Sequence, residues 1–88
     1  MFSIKSKLAA ILELPQEVVF NLPIITQIGT DELNIENYKS LVEFSDVQIR
    51  VLTASGMLRI EGKKMLIKKL TNEKMQITGQ INKYEYLM

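Results

Sequence analysis

The side chains able to do chemistry are few in kind. The 88-residue chain has no histidine, no cysteine and no tryptophan. That composition removes disulfides, Cys/His zinc sites, thiol and Ser–His nucleophiles, and imidazole acid–base work. Carboxylates remain, and Asp31, Glu32 and Glu36 lie close together in the chain. A calcium loop, however, needs more oxygen ligands and a turning glycine within one short segment. A glycosidase pair needs two carboxylates facing across a cleft, for which a small β-domain has little room. Gly56 and Gly62 belong to neither GxxxxGK[ST] nor GxGxxG, so no phosphate-binding loop is encoded. The expectation is a protein that is not an enzyme, with no catalytic, cofactor-binding or metal-ligating residues and no small-molecule substrate.

Cations give the strongest cluster. Lys63, Lys64, Lys68 and Lys69 flank Met65–Ile67, with Arg50, Arg59 and Lys74 elsewhere in the same half of the chain. Arg59, Lys63, Lys64 and Lys68 are therefore the candidate contact residues for a partner. Combined with Tyr84 and Tyr86, the cluster could form a nucleic-acid face, with lysines on phosphates and rings stacked on bases. Two considerations favour a solvated strand edge instead. In a regular strand Lys68 and Lys69 point to opposite faces, and lysine on a strand edge commonly guards against unwanted pairing. The net charge of +1 also falls short of a chain dominated by phosphate binding.

That small net charge conceals an uneven distribution. Residues 1–48 carry three lysines against seven carboxylates, net −4, and residues 49–88 carry eight cations against three glutamates, net +5. Interleaved solvated faces are the expected outcome. Copies stacked head to tail, forming a homo-oligomer, are the alternative. Five methionines, among them Met57, Met65 and Met75, suit either core filling or a contact surface.

The elements that must position these residues follow from periodicity. Over residues 1–22, Ile4, Leu8, Ile11 and Leu12 recur at helical spacing behind Ser3 as a candidate N-cap. Pro15 interrupts the stripe, Val18, Val19 and Leu22 continue it, and Pro23 ends it. The apolar run from Leu8 to Leu14 is broken by Glu13, so it reads neither as a signal peptide nor as a membrane span, and the expected location is cytoplasmic. From residue 23 to 88 the period becomes two: Ile24/Thr26/Ile28, Leu33/Ile35, Val42/Phe44, Val47/Ile49/Val51, Leu58/Ile60, Met65/Ile67 and Met75/Ile77. Turn signals separate the runs at Gly29-Thr30, Asn37-Tyr38, Ser45-Asp46, Ser55-Gly56, Gly62-Lys63, Thr71-Asn72 and Gly79. The chain thus reads as one domain, mainly β. A short N-terminal helix precedes an antiparallel meander of seven to eight short strands, forming a small sandwich, rolled sheet or partial barrel.

A weak internal repeat supports the strand assignment. Leu33–Val42 aligns without gaps with Leu58–Ile67, six of ten positions being identical or nearly so. Each copy reads as a hairpin whose turn is supplied by Asn37 or Gly62, residue types that tolerate positive φ. Gly56 is a third structural turn residue. A short solenoid-like stack is the alternative, although solenoids normally need three or more copies.

Several segments, taken in order, resemble the small sporulation proteins of the YabP/YqfC family of spore-forming Firmicutes, and the YqfC branch most closely. They are Lys7-Leu8, Ile11–Pro15, Leu22–Ile25, Ile28-Gly29, Leu33–Asn37, Ile49–Val51, Gly56–Gly62 and Ile77–Gly79 with Ile81. The likeness covers roughly residues 5–86 and rests on the order of many weak features. It implies a non-enzymatic role in endospore formation, in the mother-cell cytoplasm or peripherally at the forespore membrane. The implied partner is a protein, such as a membrane protein of the spore envelope. The family offers no catalytic residues to transfer.

Overall fold

The computed structural model describes residues 21–87. The helix expected over residues 1–22 lies outside them, apart from Asn21 and Leu22. The described chain forms six strands: β1 (Ile24–Ile28), β2 (Glu32–Glu36), β3 (Tyr38–Phe44), β4 (Gln48–Thr53), β5 (Gly56–Leu70) and β6 (Lys74–Leu87). They make one antiparallel sheet in the order β1-β2-β6-β5-β4-β3, which does not close.

Three turns are built by the same hydroxyl device. Ser45 Oγ accepts from the Gln48 amide (2.9 Å), Thr53 Oγ1 from the Ser55 amide (3.1 Å) and Thr71 Oγ1 from the Lys74 amide (2.9 Å). Each side chain satisfies an amide that the turn would otherwise leave unpaired.

The sequence expectation of seven to eight short strands in a meander is corrected in two places. Gly62-Lys63 and Gly79 do not end strands. They lie inside β5 and β6, which run on for 15 and 14 residues. Nor do β2 and β3 form a hairpin. β2 pairs with β6 and β3 with β4, and Asn37, at φ 62°, is the corner by which the chain leaves one half of the sheet for the other. The repeat is real in a different form. Leu33 and Ile35 precede Asn37 as Leu58 and Ile60 precede Gly62, and all four apolar side chains are fully buried. Both copies are strands that pass through a corner.

The long strands bend because their pairing is irregular. Register shifts fall between Glu61 and Gly62, between Lys63 and Leu66, and between Ile67 and Lys69, and bulges of this kind bend a strand and increase its twist. At the bend the backbones touch. A Cβ on Gly62 would lie 2.1 Å from the Gln80 carbonyl oxygen, and one on Gly79 would lie 2.6 Å from that of Lys64. Lys64 itself takes a left-handed conformation, φ 52°.

Neighbouring hairpins seal the bend in matching ways. The amides of Gly62 and Met65 donate to the carbonyls of Val47 and Asp46 in the β3–β4 turn. Those of Gly79 and Ile81 donate to Asp31 and Thr30 in the β1–β2 turn. Each half of the sheet is thus a hairpin laid along one half of a long strand. Their inner faces share one core: Leu33, Ile35, Met75 and Ile77 from one half, and Ile49, Val51, Leu58 and Ile60 from the other, with Met65 and Ile81 at the bend. Full burial of each such side chain is worth roughly 1.5–3 kcal/mol relative to exposure.

Phase also shifts in β3. Bulges between Tyr38 and Ser40 and between Leu41 and Glu43 place Tyr38 and Leu41 against the core. Val42 and Phe44, which alternate as a pair in the sequence, are about half exposed.

The bend generates a stability prediction. Gly79→Ala meets both backbone atoms and a positive φ of 132°, and Gly62→Ala meets the Gln80 backbone and the Met65 sulfur without a positive φ. Each is expected to destabilise by about 1–3 kcal/mol or more. Gly29→Ala also takes a positive φ, 59°, but its Cβ meets only the Asp31 side chain at 3.2 Å, so it should cost less. Urea unfolding of the three variants checks the order.

Candidate interaction surface

The outer face of the β3-β4-β5-β6 half carries a ladder of charge. Cross-strand register sets Glu43 opposite Arg50, Arg50 opposite Arg59, and Arg59 opposite Glu85. Two arginines side by side would repel, and the flanking carboxylates offset this. Arg50 Nε donates to Glu43 Oε1 at 2.5 Å, and Arg59 Nη2 to Glu85 Oε1 at 2.6 Å. Lys83 completes the group, with Nζ 3.5 Å from Glu61 and 3.9 Å from Glu85. Arg59 Nε lies 3.4 Å from Glu61 Oε1 but is too poorly aligned for a hydrogen bond, and this buried atom is left without a partner.

These contacts shift two carboxyls. Glu43 is held below its usual 4.5 by the hydrogen bond from Gln48 first and by Arg50 second. Glu85 is lowered by the hydrogen bond from Arg59 and then by the charge of Lys83. Arg59, expected as a partner contact, is therefore largely occupied within its own sheet.

The lysines behave differently. Lys63 and Lys64 are exposed at the bend, and Lys68 is the extra residue of the bulge between Ile67 and Lys69. That bulge breaks the alternation expected to split Lys68 from Lys69, and both are exposed. Among the described residues none of the four forms an ion pair, whereas Arg50, Arg59, Lys74 and Lys83 all do. Between them stands Leu66, 62% exposed, with Leu70 at the strand end also exposed. Sequence reasoning overlooked Leu66, although a signal was present, since a strand with Met65 and Ile67 directed inward turns the residue between them outward. Along β5, exposed Leu66 is thus flanked in the chain by two pairs of exposed lysines.

The tyrosines of the expected nucleic-acid face do not share a face with Arg59. Tyr84 and Tyr86 sit opposite Ile60 and Leu58, on the core side of the sheet, while Arg59 and Glu85 occupy the outer side. The structural turn residues divide as well. Asn37 is a corner at positive φ, Gly56 closes the β4–β5 hairpin at φ 125°, and Gly62 is a point of close backbone contact inside a strand.

Among the described residues, carboxylates of the acidic half meet cations of the basic half. Glu43 pairs with Arg50, and Glu36 with Lys74 at 3.6 Å. A groove of about 340 Å³ beside the latter pair is lined by Thr26, Asn34, Lys69 and Gln76 among others. Among the described residues no group of carboxylates is arranged to hold a metal ion, and no helix is long and apolar enough to cross a membrane.

Residues 23–88 match the model of the YabP family. The chain belongs to the YabP family. A relative described as the uncharacterised protein YqfC, from Bacillus subtilis strain 168, is 34% identical over 83 residues, which cover 94% of this chain and 89% of that protein. The match spans nearly the whole chain, so the bent sheet and the basic segment of β5 both lie within the region shared by the family.

The charge ladder sets a pH dependence. Folding lowers the pKa of Glu43 and Glu85. Their stabilisation is therefore present above the unfolded value near 4.5 and lost as pH falls through the lower folded values. Thermal unfolding should shift downward across that acidic window, and Glu43→Gln with Glu85→Gln should flatten the dependence. High salt should weaken it too, since the groups are exposed.

Proposed function

We propose that this protein is a non-enzymatic sporulation protein that works by protein–protein contact, in the mother-cell cytoplasm or at the forespore membrane surface. The biological setting comes from the family resemblance. The mode of action rests on one observation: exposed Leu66 is flanked along β5 by Lys63, Lys64, Lys68 and Lys69, which have no ion-pair partners among the described residues. An exposed apolar side chain flanked by unpaired cations fits an acidic protein surface, such as the cytoplasmic face of an envelope protein, because charge steers the encounter and burying the leucine on contact supplies energy. Self-assembly is the second form of contact this reading includes. A nucleic-acid role finds less support, since Tyr84 and Tyr86 stand on the opposite face from the outward cations of that sheet half.

Complementation tests the proposal. Deleting the gene in a spore-forming host should lower the yield of heat-resistant spores, and the wild-type gene should restore it. A variant carrying Lys63→Gln, Lys64→Gln, Lys68→Gln and Leu66→Ser should accumulate as a folded protein yet fail to restore the yield. Full restoration by that variant would remove this surface from the function. Salt-sensitive retention of single-stranded DNA or RNA by the purified protein would replace the proposal with nucleic-acid binding.

A further inference from the structure

An open sheet has two edges, and this protein treats them differently. β3 is guarded, because two bulges interrupt its register and Lys39 and Glu43 place charges along it. Such features discourage a further strand from adding. β1 has none of them. Its sequence, Ile-Ile-Thr-Gln-Ile, carries no charge, and its pairing with β2 runs through all five residues without a shift. Thr26, Gln27 and Ile28 are exposed, Ile28 to 52%. Among the described residues nothing pairs with its outer side. An uncharged, regular, β-prone edge presents unpaired amides and carbonyls to whatever extended chain can align with it.

We infer that β1 is the interface by which two copies of this protein pair edge to edge, antiparallel, about a two-fold axis at Thr26. The occupant follows from the strand's own self-complementarity. Centring the axis on Thr26 pairs the whole strand: Ile24 meets Ile28 of the second copy at both ends, Ile25 meets Gln27, and Thr26 meets itself. Directly opposed residues share a face, so the inner and outer faces of both sheets continue across the junction. Isoleucine pairs and a threonine pair are favourable cross-strand contacts, and no like charges oppose one another. Because β3 is guarded, pairing stops at two copies and yields a closed dimer rather than a filament. This inference rests on the self-assembly form of the proposed function and names its surface, the β1 edge, whose Thr26 lines the same groove as Lys69.

The absence of cysteine makes the test direct. Opposed residues in an antiparallel pair have Cα atoms about 4.5–5.5 Å apart, within disulfide range. Thr26→Cys should therefore form a disulfide-linked dimer under mild oxidation. Gln27→Cys should not, because its counterpart in the second copy is a diagonal neighbour about 7–8 Å away. Ultracentrifugation of the wild type should show a concentration-dependent dimer, and Thr26→Lys with Ile28→Lys should raise its dissociation constant roughly tenfold or more by opposing like charges. Should that double variant fail to fold, the cysteine pair still decides the matter. A wild-type oligomer that Thr26→Cys does not cross-link would overturn the β1 interface while leaving self-assembly standing. A monomer at every concentration would overturn the interface and the self-assembly form together, leaving contact with a separate partner through β5.

Discussion

Everything in this structure depends on the place where β5 and β6 bend past each other. Gly62 lies against the Gln80 carbonyl and Gly79 against that of Lys64, closer than any side chain would allow. Only there can a single antiparallel sheet turn its two halves toward one another and bury both inner faces. A flat six-stranded sheet of this size would leave Leu33, Ile35, Ile49, Val51, Leu58, Ile60 and Ile77 covered on one side by water. With the bend they reach full burial. The amides freed by the bulges are recovered by carbonyls of the two hairpin turns, so the bend leaves few backbone groups unsatisfied.

The same bend sorts the charges. Where the sheet stays regular, on the outer face of β3-β4-β5-β6, cross-strand register brings opposite charges together and neutralises them, as in Glu43–Arg50 and Arg59–Glu85. Where register is broken, along the second half of β5, Lys63, Lys64 and Lys68 have no opposed carboxylate and stand exposed in the chain on either side of exposed Leu66. A surface suited to contact thus arises from the irregularity that shapes the fold. The edges show a related division, with bulges and charges protecting β3 and a regular, uncharged β1 left open.

Much of the architecture was legible in the residues. Period-two alternation marks the buried positions of β2, β4, β5 and β6, since a side chain's face is set by its parity within a strand. Turn chemistry at Gly29-Thr30, Ser45-Asp46, Ser55-Gly56 and Thr71-Asn72 marks the hairpins. Parity fails in β3, where two bulges change the phase and expose Val42 and Phe44. The basic segment was legible too, but Leu66 at its centre was passed over.

By itself the sequence determined a mainly β domain, most of its inward-facing residues, its four hairpin turns and a cluster of lysines late in the chain. These are local properties, written in spacing and residue type. The tertiary structure alone decided that Gly62 and Gly79 are contacts rather than turns, that β2 pairs with β6 across some forty residues of chain, and that Arg59 is neutralised while its neighbouring lysines are not. A glycine in a hairpin turn and one in a crowded bulge satisfy the same local preference. Only the strand laid against it determines which role the glycine takes.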